Sequence, residues 1–306
     1  MSLLEVKKQI IATQNTKKIT KAMQLVAASK MKNFQVTSGA VRIYTRTLLE
    51  TSLLAHVSVS DTEYAAERTE GYELFVILTS DKGLCGAMNN QLIRNLLRSP
   101  EWQSAEGNRR VITVGRKSAD AAKREGMKVE ASLQNLKEDM QPIDALVVVN
   151  EILTRWESGD AKKIHLVSPW YVNAFTFESH LHTYLPLTRQ AIKNQITRDG
   201  SKLVSQPDEE KDTVLYEPGP EEVANTITLQ VLKGLFLEAF YQLKATEYSS
   251  RMVAMKKATE AADEQIKLLT KAYNKARQAA ITQQLAELAS ANEAMSNEHM
   301  YERVEI

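Results

Sequence analysis

The stretch "NTKKITKAMQLVAASKM", residues 15–31, decides how this chain is read. Ile19, Met23 and Val26 fall on one stripe, because side chains three and four apart share a helix face. Lysines at 17, 18, 21 and 30 sit among them, and no breaker closes the run. Outward from it, residues 3 to about 57 hold no proline and one glycine, Gly39, while Ile10, Val41, Tyr44 and Leu48 keep helical spacing. The pattern predicts one long helix, loosened near Thr37 to Gly39. A helix this long, basic and half apolar needs something to pack against.

The other end of the chain supplies it. Residues 221–306 contain no proline and one glycine, Gly234, and are dense in Ala, Leu, Gln, Glu and Lys, all good helix formers. Pro220 followed by Glu221 and Glu222 reads as a helix start, since proline fits the first turn and acids favour its positive end. A helix over 221–295 would run roughly 110 Å at about 1.5 Å per residue. The simplest arrangement is a long antiparallel coiled coil of the N- and C-terminal helices. The C-terminal helix is the longer, so one end should project alone. That end, "YNKARQAAITQQLAELA" (273–289), is mostly small apolar residues, with Ala279 and Ala280 beside Ile281, Leu285 and Leu288. A permanent interface would carry larger anchors. A smooth tip suits a sleeve that surrounds without gripping, and a solvated helix end is the plainer alternative.

Between the helices the character changes. "YELFVIL" (72–78), "RVITVG" (110–115) and "KIHLVS" (163–168) read as strands. Met88–Leu97, Lys117–Glu125 and Ile143–Trp156 read as helices between them, and "NAFTFESHLHTYL" (173–185) alternates as an edge strand does. Strands alternating with helices predict a small Rossmann-like α/β domain with a largely parallel core. The expected division is an N-terminal shaft helix over 1–60, the α/β domain over 70–200, and a C-terminal helix with an extended tail over 210–306. Residues 201–220, acidic and marked by Pro207, Pro218 and Pro220, read as a surface loop.

Composition narrows the function. The 306 residues are 43% apolar and 25% charged with net charge +1, so no global basic field advertises nucleic acid. The first 46 residues nevertheless hold nine Lys or Arg against one acid, Glu5, which suits either an acidic partner or a solvated face. Cys85 is the only cysteine, which excludes an internal disulfide and points to a reducing compartment. The N-terminus lacks a signal peptide's apolar core. No run of about 18 uncharged apolar residues exists to span a membrane.

Several candidate sites are weak. "SDKGLCGAMN" (80–89) follows a strand and holds two glycines but fits neither G-x-G-x-x-G nor G-x-x-x-x-G-K-[ST]; a tight turn is the better reading. Cys85 has no local histidine to activate it and reads as small and buried. His180 and His182 share one strand face without an evident third metal ligand. No catalytic residue, cofactor or metal site is therefore expected. A small α/β enzyme with helical oligomerisation arms, or a basic coiled coil that binds nucleic acid, stays open on residue patterns alone.

Three motifs settle on a family. "NTKKITKAMQLVAASKM", "TSDKGLCGAMN" (79–89), and "RMVAMKKAT" with "YNKARQAAITQ" (251–259 and 273–283) resemble the γ subunits of F-type ATP synthases, over nearly all of residues 1–289. The resemblance implies a central rotor shaft. It would stand inside a ring of alternating alpha and beta nucleotide-binding subunits, its foot on a membrane c-ring with an epsilon subunit, coupling proton or sodium flow to ATP synthesis or hydrolysis. It implies a peripheral place on the cytoplasmic face of a bacterial plasma membrane or equivalent energy-coupling membrane, with no nucleic-acid partner. By the same resemblance Met23, Lys30, Arg251, Gln278 and Thr282 would contact the ring subunits, and the last three would matter little to the chain's own fold. Ala279, Ala280, Ile281, Leu285 and Leu288 would form the tip in its bearing. Lys257 stands where the family often has alanine, Gln284 replaces the usual glutamate, and the acidic tail "NEAMSNEHMYERVEI" (292–306) extends past the usual end.

Overall fold

The structure, a computed structural model, describes residues 3–54, 62–197 and 216–302, with the side chains of Leu54 and of 293–302 outside that description. In chain order the elements are α1 (Leu3–Leu54), β1 (Tyr72–Leu78), α2 (Met88–Arg98), α3 (Pro100–Ser104), β2 (Arg109–Val114), α4 (Arg116–Arg124), β3 (Val129–Leu133), α5 (Pro142–Glu157), β4 (Ala161–Tyr171), β5 (Phe177–Leu185), α6 (Arg189–Thr197) and α7 (Pro220–Glu302). The chain is therefore mixed α/β, with long terminal helices flanking a central sheet. Two compact units emerge, one of Met1–Gln24 with Met255–Ile306, the other of Leu25–Ala254.

In the larger unit five strands lie in the order β3-β2-β1-β4-β5. The first four are mutually parallel and β5 runs antiparallel at the edge. Central β1 is apolar without a break from Leu74 to Leu78, because both its faces are covered there. Leu74, Val76 and Leu78 face a core shared with α5, α6 and the apolar turns of α1 and α7. Phe75 and Ile77 face a second core under α2, α3 and α4. Tyr184, fully buried, donates to the Leu232 carbonyl at 2.7 Å and ties β5 to α7. Ascending positions on α1 meet descending positions on α7: Phe34 stacks on Tyr248 with ring centroids 5.4 Å apart, and Thr45 lies against Gly234. In the smaller unit the same antiparallel sense holds, with Lys17 paired to Asp263 and Thr20 bonded to Thr259 at 2.8 Å.

Several sequence expectations need correction. α1 runs through Gly39 without a break; no side chain crowds that position, and the Thr37 hydroxyl folds back on the Asn33 carbonyl at 3.2 Å, inside the helix. β5 starts at Phe177, four residues late, because the Asn173 carboxamide accepts from the amides of Phe175 and Thr176 and makes a turn there. β3, α3 and α6 were not anticipated. Residues 198–215, most of the acidic loop, lie outside the described residues, as do 303–306 of the tail; α7 continues to Glu302.

Candidate functional site

The loop after β1 is fixed by its neighbours. The Asp81 carboxylate accepts from the Arg116 amide at 2.9 Å and the Asn135 amide at 3.3 Å. The Thr79 hydroxyl accepts from the Ser118 amide at 2.6 Å, and the Ser80 carbonyl from the Lys117 amide at 3.1 Å. A doubly wound sheet places ligands at the carboxyl ends of its strands, against helix N-termini. Here the chain's own oxygens fill the N-terminus of α4. Asn89 spans the loop base, accepting from the Ser80 amide and donating to the Ser80 hydroxyl and the buried Cys85 sulfur at 3.1 Å. The loop thus presents Leu84, which is exposed at a positive φ of 62°, and the Gly83 carbonyl beside it.

Arg251 binds that carbonyl at 3.1 Å and the Glu247 carboxylate at 2.8 Å. It is 6% exposed, Glu247 is equally buried, and Lys244 lies 3.5 Å from the same carboxylate. Arg251 also stands over the Tyr248 ring, 5.0 Å from its centroid, and Lys30 does so at 5.2 Å. The Lys30 ammonium pairs with Glu138 and donates to the Tyr248 hydroxyl at 3.2 Å; Tyr248 in turn donates to Glu138 at 2.7 Å. Lys82 approaches the same carboxylate to 3.7 Å. α1, α7, the loop after β1 and the loop before α5 therefore meet in one charged network.

Partial burial alone would raise the Glu138 carboxyl. The hydrogen bonds from Lys30 and Tyr248, with the charges of Lys30 and Lys244, outweigh it and bring the group down to about 2. Lys30 is raised, chiefly by its bond to Glu138. Burial, then the Glu138 bond, pushes the Tyr248 hydroxyl up to about 12. The Glu138 contribution to stability should be complete above its unfolded value, about 4.3, and be lost as pH falls toward about 2. Denaturation curves of the wild-type chain and Glu138→Gln should converge over that window, and a stability gap that stays constant across it would refute the assignment.

The residues singled out from the sequence fall in different surroundings. Lys30 and Arg251 lie in the network, and the expectation that Arg251 matters little to the fold does not survive its burial and its internal partners. Met23 is half-buried on α1. Gln278 and Thr282 are exposed; the Thr282 hydroxyl folds back on the Gln278 carbonyl at 3.0 Å. Ala279 and Ala280 are exposed too, as are Ile281, Leu285 and Leu288, at 48%, 62% and 67%. Followed back to its start at Leu3, the register of Lys17 on Asp263 leaves α1 behind near Arg277, so these turns have no α1 opposite them. Sequence reasoning missed Glu138, Glu247 and Tyr248. Glu138 lies 108 positions from Lys30 in a loop without a motif, and only the fold brings it there. His180 stacks on Trp170, ring centroids 4.7 Å apart, and no His, Cys, Asp or Glu group among the described residues is arranged to hold a metal.

Comparison with known proteins fits this picture. A family model described as ATP synthase matches residues 2–295. The ATP synthase gamma chain of Polaromonas naphthalenivorans is 33% identical over 294 residues, covering 94% of this chain and 96% of the relative. That of Nitrosococcus oceani is 31% identical, covering 95% and 98%. Among solved structures, a chain of the Euglena gracilis mitochondrial ATP synthase OSCP/F1/c-ring assembly aligns with a TM-score of 0.64 at 19% identity, over 96% of this chain and 94% of that one. A chain of the Tetrahymena thermophila mitochondrial ATP synthase central stalk/c-ring aligns at 0.58 and 22%, over 78% and 99%. Identities that low speak for the fold; the sequence matches carry the kinship, and by them the chain belongs to the ATP synthase gamma chain family.

Proposed function

We propose that this chain, a central stalk subunit by family, is a non-catalytic shaft that passes torque between a membrane ion-driven ring and the nucleotide-binding alpha and beta subunits. The observation that carries the reading is the end of α7. From Arg277 to Asn292 every residue is exposed, yet Ile281, Leu285 and Leu288 put apolar side chains on it. Such a stripe is wasted in water and useful inside a sleeve. The small residues Ala279 and Ala280 let a smooth collar slide past, while Gln278 and Thr282 offer polar catches at chosen angles. α1 and α7 are continuous helices that can carry twist. Each angle of the asymmetric shaft stabilises a different combination of ring conformations, which is how rotation biases catalytic sites held elsewhere.

The filled N-terminus of α4 supports the non-catalytic reading, because the amides that would cradle a phosphate already hold Asp81, Thr79 and Ser80 oxygens. The broad α/β unit suits the foot, with an epsilon subunit and a c-ring as partners and proton or sodium as the coupling ion. No described helix is long and apolar enough to cross a membrane, so the chain would be peripheral, on the cytoplasmic face of a bacterial plasma membrane or its equivalent. Met23 and Lys30 would face acidic segments of the catalytic subunits.

The test replaces Gln278 and Thr282 with alanine in the reconstituted complex. Two lost hydrogen bonds at about 1 kcal/mol each should cut ATP-driven ion pumping by roughly tenfold or more. The isolated chain should keep its helicity and melting temperature, because both residues are exposed. Full pumping by the double variant would sink the catch role.

A further inference from the structure

We infer that Glu138 is an internal competitor for the carboxylates of the ring subunits, a built-in limit on how firmly the shaft is held through Lys30. The inference rests on the reading above that Lys30 faces an acidic segment of the catalytic subunits. Lys30, Lys82 and the Tyr248 hydroxyl converge from three separate segments, α1, the loop after β1, and α7. What they converge on is a carboxylate: Glu138 takes Lys30 on one oxygen, and Tyr248 at 2.7 Å with Lys82 at 3.7 Å on the other. Cations and a hydroxyl so placed form a carboxylate site, and the chain's own glutamate shows the mode of binding.

The site is open enough to exchange. The side chains of Lys30, Lys82 and Glu138 are 43%, 77% and 31% exposed, so an incoming carboxylate can reach the lysines without unfolding anything. Glu138 sits in the loop between β3 and α5, outside any helix or strand, and Tyr248 is held independently by its stack on Phe34. Both occupants are carboxylates, so a partner's acid must displace Glu138 or share its cations. Tethering gives the internal acid a standing advantage in effective concentration. The partner's grip is thereby weakened at every pass, which favours release and the next step over a locked state.

The test uses the reconstituted complex with Glu138→Gln, Lys30→Gln and the double variant, following ATP hydrolysis and ATP-driven pumping against ionic strength. Removing the competitor should tighten the hold and slow hydrolysis by about twofold to fivefold at low salt, the range expected for partly exposed ion pairs. The slowing should fade as salt screens the pair. It should vanish in the double variant, which should match Lys30→Gln. Glu138→Asp, which keeps the charge on a shorter arm, should lie between. If Lys30→Gln changes neither hydrolysis nor pumping, the reading of Lys30 as a ring contact falls and the competitor falls with it. If Lys30→Gln has an effect but Glu138→Gln does not, or Glu138→Gln slows hydrolysis equally without Lys30, the competitor alone is refuted. Glu138→Gln should melt somewhat lower through loss of its ion pairs, but loss of helicity or of assembly at the assay temperature would instead make Glu138 a structural residue and overturn the inference.

Discussion

Arg251→Ala should cost the chain about 3 kcal/mol and lower its melting temperature by roughly 6–10 °C. The guanidinium is buried, and its removal strands three groups. Glu247 loses its closest cation, the Gly83 carbonyl loses its donor, and Tyr248 loses the charge over its ring. Breaking a buried ion pair from one side costs roughly 3–5 kcal/mol, because the remaining charge stays buried. The lower end applies because Lys244 still lies near Glu247. Arg251→Lys should recover part of the loss. An ammonium keeps the charge, but on a shorter side chain that does not place a donor where the single Arg251 Nη2 serves both carboxylate and carbonyl. Circular dichroism melts of the purified chain read this directly. A melting temperature equal to wild type would return Arg251 to the role expected from family likeness alone, a contact made only in the assembled complex.

Arg251 shows where sequence reading stops. The long helices were legible because helix formers and missing breakers are local features, but their packed face was not: Ile19 and Val26, on the expected stripe, are exposed, while Thr20 and Ala27 turn inward. β1 and β4 were legible because strands covered on both faces become apolar runs. β3, "VEASL", was not, since an edge strand covered less fully carries a weaker pattern, and its burial is only partial. α6 missed for a like reason, with just Ile192 and Ile196 buried in nine residues. The run of small apolar residues over 273–289 was legible from composition, and the structure leaves Ile281, Leu285 and Leu288 in it exposed. The charged network was not. Tyr248 reads as ordinary helix surface until Phe34, Lys30 and Glu138 are brought to it, and a lone glutamate in a loop says nothing about a lysine 108 positions away.

Gly115→Ala should be the more damaging change, at about 3 kcal/mol or more, and should disturb the network from a distance. Gly115 stands at φ 96° and ψ 150°, a region essentially reserved for glycine. A Cβ there would lie 2.1 Å from the Thr79 carbonyl oxygen and 2.9 Å from its carbon. Neither backbone can step aside. The Thr79 amide is bonded to Val114 at 2.8 Å, the Thr79 hydroxyl accepts from Ser118, and the Gly115 amide is bonded to Leu133 at 2.8 Å. The strain must therefore open the ends of β1, β2 and β3 together. It should also displace the loop that carries Lys82 toward Glu138 and Gly83 toward Arg251. Gly126→Ala is the control. Gly126 also has a positive φ, 64°, but nothing lies within 4 Å of an added Cβ, so only the backbone preference is lost, about 1 kcal/mol. All three tryptophans, Trp102, Trp156 and Trp170, lie in the α/β unit, so fluorescence during urea unfolding follows that unit. Gly115→Ala should shift the midpoint well beyond Gly126→Ala, and Arg251→Ala should cost less on the Gly115→Ala background than on wild type, since a loop already displaced has less left to lose. Equal midpoints for the two glycine variants would show that the loop yields to the added methyl, and that the close approach of Gly115 to Thr79 does not hold the network in place.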